Sequence, residues 1–439
     1  DNFTKIGQEL SAIKPGRFTG YHCDAQQTQI TAIISGEQRL SEAAAGDTGW
    51  LTLAETPFYG ESGGQVGDRG CLTGDEGLLV EIKDTQKLNN GLTVHKFLVK
   101  QGMLRPGRQV VAKISAERRQ SIARNHSATH LLHRALRLIL GEHVHQAGSL
   151  VTDSRLRFDF HHPEPLTAEQ LQAVEHEVHR LILANLPVDD REMPLEDAKA
   201  TGAMAFFGDK YGDIVRLVSM GEESRELCGG THCRYTGDIG AFKIIAESGI
   251  GSGMRRIEAL TGWGAIDYYR GQEQRLNHLA AMLKSSPQQV EKRLETLIAE
   301  NKAQAKELAS LQAKLVKNNT ADLWRNALEI DGVKVLAAEV AAADMPALRN
   351  IMDRMRDKLP DAAIVLAAPH EDKVSFVVSI SLAAQAKGLH AGKLIKEVAA
   401  VCGGSGGGRP DMAQAGGKDT SKIAEALDLA TKLITAALN

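Results

Sequence analysis

The sequence predicts an α+β multidomain chain: a small antiparallel β-barrel, an α+β metal-binding domain, a long helical arm and a C-terminal α/β domain. Three observations carry that prediction. The hydrophobic period changes from strand-like to helical at Ala116, a polar stretch from Tyr268 to Ala321 keeps leucines on heptad spacing, and strands alternate with helices again after Val333. With 439 residues, 43% hydrophobic and 24% charged, the chain has material for about three or four cores. The expected divisions are 1–115, 116–265, 266–325 and 326–439.

Composition narrows the function classes. The five cysteines (Cys23, Cys71, Cys228, Cys233, Cys402) are scattered and odd in number, which argues against a disulfide scaffold and for a reducing, cytoplasmic setting. No apolar run is long enough to span a bilayer, so no membrane partner is expected. The chain opens at Asp1 in polar sequence without a signal peptide and reads as a piece of something longer. With a net charge of −3, nucleic-acid contact must come from local basic patches.

In the barrel, short β-like runs lie at Gln29–Ile34, Gly49–Leu53, Gly77–Ile82, Leu92–Leu98 and Gln109–Ile114, separated by Gly, Asp and Asn. Gly63-Gly64-Gln65 falls among them. That tripeptide also occurs in factors that hydrolyse peptidyl-tRNA, but in a β context it reads as a tight turn. From Ala116 to Leu140, Ile122, Leu131, Leu132, Leu136 and Leu140 take helical spacing; Arg155–Phe160 then alternates as a strand, and Ala168–Ala184 reads as a helix closed by Asn185 and Pro187. Ser286 and Pro287 are placed to start the arm, whose Leu294, Leu297, Asn301, Gln304, Leu308, Leu311 and Leu315 sit at a and d positions. Both a linker arm and a dimerising coiled coil fit that pattern. In the last domain, strands are expected at Val333–Ala337, Ala362–Ala367 and Val374–Ile380, with a glycine loop from Cys402 to Lys418 whose backbone N–H groups can cradle phosphate.

The chemistry concentrates in two pairs spaced four residues apart. His126-Ser127-Ala128-Thr129-His130 puts two imidazoles on one helical face, and Cys228-Gly229-Gly230-Thr231-His232 adds a thiolate and a third imidazole. Together they make a nitrogen and sulfur set that zinc prefers. Four protein ligands point to a structural ion, five if Cys233 reaches it; the wide separation of the pairs and the interleaved Thr129, Thr231 and Gln146 point to a working one. His133 shares the helical face and reads as a packed or supporting residue.

These residues resemble a known family. The two pairs, with Glu61-Ser62-Gly63-Gly64-Gln65, Met254-Arg255-Arg256-Ile257-Glu258 and the loop from Gly406 to Gln414, are similar to alanyl-tRNA synthetases from their editing region to the C-terminus, and more distantly to threonyl-tRNA synthetase editing domains. The likeness covers nearly the whole chain. It implies that the second domain is an editing domain that hydrolyses Ser-tRNA(Ala) and Gly-tRNA(Ala). An alanine pocket discriminates against glycine or serine by only about 1–3 kcal/mol, so a second sieve is required. It implies zinc held by His126, His130, Cys228 and His232, with Thr129 and Gln146 as candidates for reading the serine hydroxyl; the threonyl likeness implies an alternative, since a similar constellation there need not rely on zinc, with His126 as a direct water-positioning base. It also implies tRNA(Ala) as partner, with the last domain on the tRNA elbow and a homodimer formed through the arm or the last domain. The aminoacylation half, with its ATP site, is not covered, so this chain is not expected to activate alanine. Phosphate contacts are expected from Arg255, Arg256, Lys393, Lys396 and Arg409, and from Arg118, Arg119, Arg124, Arg134 and Arg137 on the first helix. A phosphoesterase reading is disfavoured because Asp159-Phe160-His161-His162 only approximates the Asp-His-His cluster such enzymes use.

Overall fold

Alternating apolar and polar side chains give one inward face to each of six strands: Ala25–Ser35, Thr48–Leu53, Gly70–Gly74, Leu78–Lys87, Thr93–Gln101 and Gln109–Ile114. All pair antiparallel, and the last returns to the first, so the sheet closes into a barrel around Ile30, Leu51, Leu72, Ile82, Phe97 and Val110. The strand absent from the sequence expectation, Gly70–Gly74, begins and ends on glycine and buries only Leu72. Its first glycine is required by close pairing, since a Cβ on Gly70 would lie 2.1 Å from the Lys113 carbonyl oxygen. The structure is a computed structural model describing residues 13–36, 38–204, 212–320, 322–370 and 372–438.

The chain divides into two compact units between His278 and Leu279. In the first, helix α1 (Ala116–Leu140) follows the barrel directly and buries Ala128, Leu131, Leu132, Ala135 and Leu136. These pack with helix α2 (Ala168–Leu183) and an antiparallel sheet ordered Gln146–Val151, Leu156–His161, Met254–Thr261, Phe242–Gly251. A capping box between Thr167 and Gln170 starts α2, and Asn185 in the left-handed region (φ 49°) follows its end. A second antiparallel sheet, Val188–Pro194, Ile214–Met220 and Ser224–Leu227, delivers the chain to Cys228. Helix α3 (Gly262–Met282) carries the chain across the division.

In the second unit a 3-10 turn at Pro287–Gln289 leads into helix α4 (Val290–Thr320). Ser286 precedes the turn without capping it through its side chain. Along α4, Leu294, Leu308 and Leu311 stand exposed. The six-stranded sheet that follows runs in the order Leu328–Ile330, Val333–Glu339, Ala362–His370, Lys373–Ile380, Met412–Gly417, Ser405–Gly408. Its one parallel pair joins Val333–Glu339 to Ala362–His370. Helix α5 (Met345–Lys358) covers one face; α6 (Ala391–Val401) and α7 (Ile423–Leu438) cover the other.

The glycine loop is corrected by the structure. Ser405–Gly408 and Met412–Gly417 form an antiparallel hairpin, so backbone groups expected to be open for phosphate are engaged in a ladder. The glycines serve close approach: a Cβ on Gly406 would lie 2.3 Å from that of Ala415, and one on Gly408 2.4 Å from the Met412 carbonyl oxygen.

Candidate metal centre

Helix α1 places His126 and His130 one turn apart on its buried face, and the loop after Ser224–Leu227 brings Cys228 and His232 against them. One nitrogen or sulfur atom from each of the four lies within 4.8 Å of all the others. Cys228 Sγ stands 3.4 Å from Nε2 of both His126 and His232. Tetrahedral zinc with ordinary Zn–S and Zn–N bonds separates such atoms by roughly 3.5 Å, so the donor set fits that ion.

The outward nitrogens are held as well. His126 Nδ1–H donates to Gln65 Oε1 (2.7 Å), His130 Nδ1–H to Glu226 Oε2 (2.7 Å) and His232 Nδ1–H to Ser127 Oγ (3.1 Å). Each bond leaves Nε2 of its ring for an ion, the tautomer a metal site requires. His133 Nδ1 shares the same carboxylate at 3.1 Å, which makes it a supporting residue. Cys233 does not join the set: its thiol packs against the apolar core, its N–H donates to Ser127 Oγ, and burial pushes its pKa up to about 12.

The cluster holds two acidic groups, Cys228 and Glu226, against its imidazoles. Burial opposes ionisation of the Cys228 thiol, but the imidazoles of His126, His232 and His130 outweigh it and hold the thiol well below its ordinary range. Burial likewise opposes a charged His130, yet the Glu226 carboxylate and the Cys228 sulfur raise it to about 10. Glu226 is held low against its burial by His130 and His133, while burial and His126 push His232 down to about 3.

The cluster opens on a cavity of about 580 Å³, within the size range of small-ligand sites. Thr129 and Gln146 line it, as do Tyr59, Ser62 and Ser149. Thr129 donates to the Asn125 carbonyl (2.8 Å), and the Gln146 amide nitrogen donates to Ser149 Oγ (3.1 Å).

Sequence reasoning missed two supports. Gln65 is fully buried; its Oε1 also accepts from Thr231 N–H (2.9 Å) and its Nε2 donates to Thr231 Oγ1 (2.9 Å). Gly63 and Gly64 do form the expected turn, with φ of 57° and 81°, and that turn is what delivers Gln65 from the barrel. Glu226, two residues before Cys228, carried no signal, being one of the polar residues of the short strand Ser224–Leu227.

Three family models match the chain: "tRNA synthetases class II (A)" over residues 4–118, "Threonyl and Alanyl tRNA synthetase second additional domain" over 215–258, and "DHHA1 domain" over 332–436. An alanine–tRNA ligase of Acetivibrio thermocellus is 49% identical over 438 residues, covering 100% of this chain and 49% of that protein. Another, from Desulfitobacterium hafniense, is 48% identical, covering 98% of this chain and 49% of the relative. The chain belongs to the alanyl-tRNA synthetase family. It spans about half the length of these curated relatives. Among solved structures, the C-Ala domain of Aquifex aeolicus alanyl-tRNA synthetase matches 26% of this chain and 97% of its own, at 30% identity and a TM-score of 0.23. The segment shared by threonyl and alanyl synthetases contains Cys228 and His232.

In this member of the alanyl-tRNA synthetase family, several residues expected to contact phosphate have partners within the chain. Arg255 is paired with Glu247 at 2.5 Å, and Arg256 grips Asp159 through two bonds of 2.7 and 2.8 Å. The α1 arginines act as struts: Arg118 to the Gly67 carbonyl, Arg119 to Asp68 and the carbonyls of Gly20 and Pro57, Arg124 to the Asp238 carbonyl, Arg134 to Glu223, and Arg137 to the carbonyls of Glu142 and Val144. Alternating strands turn neighbouring acids toward Arg255 and Arg256, a pairing across sheet registers that sequence spacing does not display. Lys393 and Lys396 stand exposed on α6, and exposed Arg409 meets Asp411 at 3.3 Å.

Among the described residues, no helix is long and apolar enough to cross a membrane.

Proposed function

We propose that this chain is the proofreading part of an alanine–tRNA ligase and hydrolyses the esters of Ser-tRNA(Ala) and Gly-tRNA(Ala) at a zinc site held by His126, His130, Cys228 and His232. The observation that carries the reading is the partly buried nitrogen and sulfur cluster opening on a cavity lined by Thr129 and Gln146. Zinc bound there would polarise the ester carbonyl, activate water or grip the substrate amine. Thr129 and Gln146 supply hydroxyl and amide groups on the cavity wall suited to reading a serine hydroxyl, and the struts around the three imidazoles fix the donor atoms. By the same reading the whole protein joins alanine to tRNA(Ala) with ATP, Lys393, Lys396 and Arg409 meet phosphates of the tRNA, and the exposed leucines of α4 or the last domain mediate self-association. Four protein ligands normally close a zinc site, which favours a second reading: a tRNA-binding, dimerising part with a structural ion.

Deacylation of Ser-tRNA(Ala), with Ala-tRNA(Ala) alongside, separates the two. The zinc-loaded chain is expected to release serine selectively, and a folded Cys228→Ala variant to lose that activity by at least about a hundredfold. Inactivity of the folded, zinc-loaded chain on the seryl ester would replace the catalytic reading with the structural one.

A further inference from the structure

Cys228 and His232 are separated by Gly229, Gly230 and Thr231. Two successive glycines carry the largest backbone freedom of any residues and no side chains to anchor them, so the loop needs restraint from outside. The restraint comes from two side chains outside the cluster. Arg216, on strand Ile214–Met220, donates through Nη1 to the carbonyls of Cys228 (3.0 Å) and Gly230 (2.7 Å), while its Nε is fixed by Asp190 Oδ2 (2.9 Å). Tyr21, on the segment leading into the barrel, lays its ring 3.9 Å from the guanidinium and donates its hydroxyl to the carbonyl of Gly229 (2.5 Å). Three consecutive carbonyls are thus held.

A trans peptide points its C=O and N–H in opposite directions. Fixing the Gly229 oxygen on Tyr21 therefore aims the Gly230 N–H the other way, where it meets Cys228 Sγ at 3.4 Å. Fixing the Gly230 oxygen on Arg216 likewise aims the Thr231 N–H at Gln65 Oε1 (2.9 Å), the atom that also orients His126. Gly230 has no freedom to carry a side chain in this arrangement, since its Cβ would lie 1.9 Å from His126 Cε1.

We infer that Tyr21 and Arg216 are positioning residues that set the donor geometry of the metal loop, by clamping the outer carbonyls of Cys228, Gly229 and Gly230 so that the amides of Gly230 and Thr231 face the Cys228 sulfur and Gln65. The inference rests on the metal reading proposed above. It makes the segment before the barrel part of the metal centre, and it assigns the arginine a fork-shaped role that lysine cannot fill.

The test compares the whole chain with Tyr21→Phe, Arg216→Lys and Arg216→Met variants. Zinc affinity is measured by competition with a chelator, the sulfur-to-metal charge-transfer band is recorded on the cobalt-substituted forms, and alkylation of Cys228 in the metal-free forms is followed by site-resolved mass spectrometry. Tyr21→Phe, which keeps the ring against the guanidinium, is expected to weaken zinc about tenfold and shift the charge-transfer band. Arg216→Lys and Arg216→Met should each cost about 10- to 100-fold, and all three should alkylate faster at Cys228. Full rescue by Arg216→Lys, or unchanged affinity, band and alkylation in folded Tyr21→Phe, overturns the clamp. Failure of the wild-type chain to bind zinc or cobalt would defeat the metal reading instead, and the metal-free alkylation rates would still judge the clamp. If Arg216→Met does not fold, Tyr21→Phe decides alone.

Discussion

The two units bury different chemistry. The first sinks Asp68, Arg119, Asn125, His95, His126, His130, His133 and Glu226 below its surface, whereas Ser379 is the one polar side chain buried in the second among the described residues. The second unit is a sheet between two apolar layers, stabilised by area removed from water. A network of buried polar groups contributes less to stability than apolar packing of the same volume, but it fixes side chains in one geometry. The contrast concentrates buried ionisable groups in the first unit and leaves the second an apolar-cored sheet.

Three changes test that contrast, the first having the largest expected effect. Arg119→Met removes one partner of the buried pair with Asp68 and two carbonyl contacts; we expect the first unit to lose about 3–5 kcal/mol in urea unfolding, and a loss below 1 kcal/mol would show that buried charge is not a strut here.

The second is a pH effect. His95 donates from Nδ1 to the Leu51 carbonyl (3.2 Å) and accepts at Nε2 from the Thr56 hydroxyl (2.8 Å); burial in the barrel lowers its pKa from 6.5 to about 4. The unfolded chain takes up this proton more readily than the folded one, so the stabilisation is present above pH 6.5 and is lost as pH falls toward 4. The loss is on the order of 3 kcal/mol. Urea midpoints across this range should fall more steeply for the wild-type chain than for His95→Gln, and equal slopes would remove His95 as the cause.

The smallest effect belongs to the second unit. Lys393→Ala and Lys396→Ala should leave stability within about 0.5 kcal/mol, while each lowers the salt dependence of tRNA binding by about one phosphate contact. Arg255→Ala should instead destabilise the first unit by leaving Glu247 unpaired, with tRNA salt dependence unchanged. The opposite pattern would reverse the contrast.

Much of the architecture was legible because periodicity reports burial directly. The change at Ala116 marks the start of α1, and the alternating runs of the barrel are strands. The histidine and cysteine pairs were legible for the same local reason, since four-residue spacing on a helix or a short loop brings donors together without long-range information. What could not be read depends on partners far along the chain. Gln65 meets His126 across 61 residues and Tyr21 meets Gly229 across 208. The arginines of α1 looked free because their carboxylates and carbonyls come from other strands and loops, and the glycine run looked like a loop because glycine marks close pairing as well as turns.

One contact in the barrel bears on where this protein can be cut. Gln65 pairs in parallel with Val151, the Val151 N–H donates to the Gly64 carbonyl (2.7 Å) and the Val66 N–H to the Val151 carbonyl (3.1 Å), so a single parallel bridge ties this turn to the strand Gln146–Val151 beside the cavity. A Cβ on Gly64 would press on Ser149 Oγ at 2.5 Å, which leaves no slack in the seam. A fragment that starts at α1 would therefore keep His126, His130, Cys228 and His232 without the Ser62–Gly64 segment that lines their cavity.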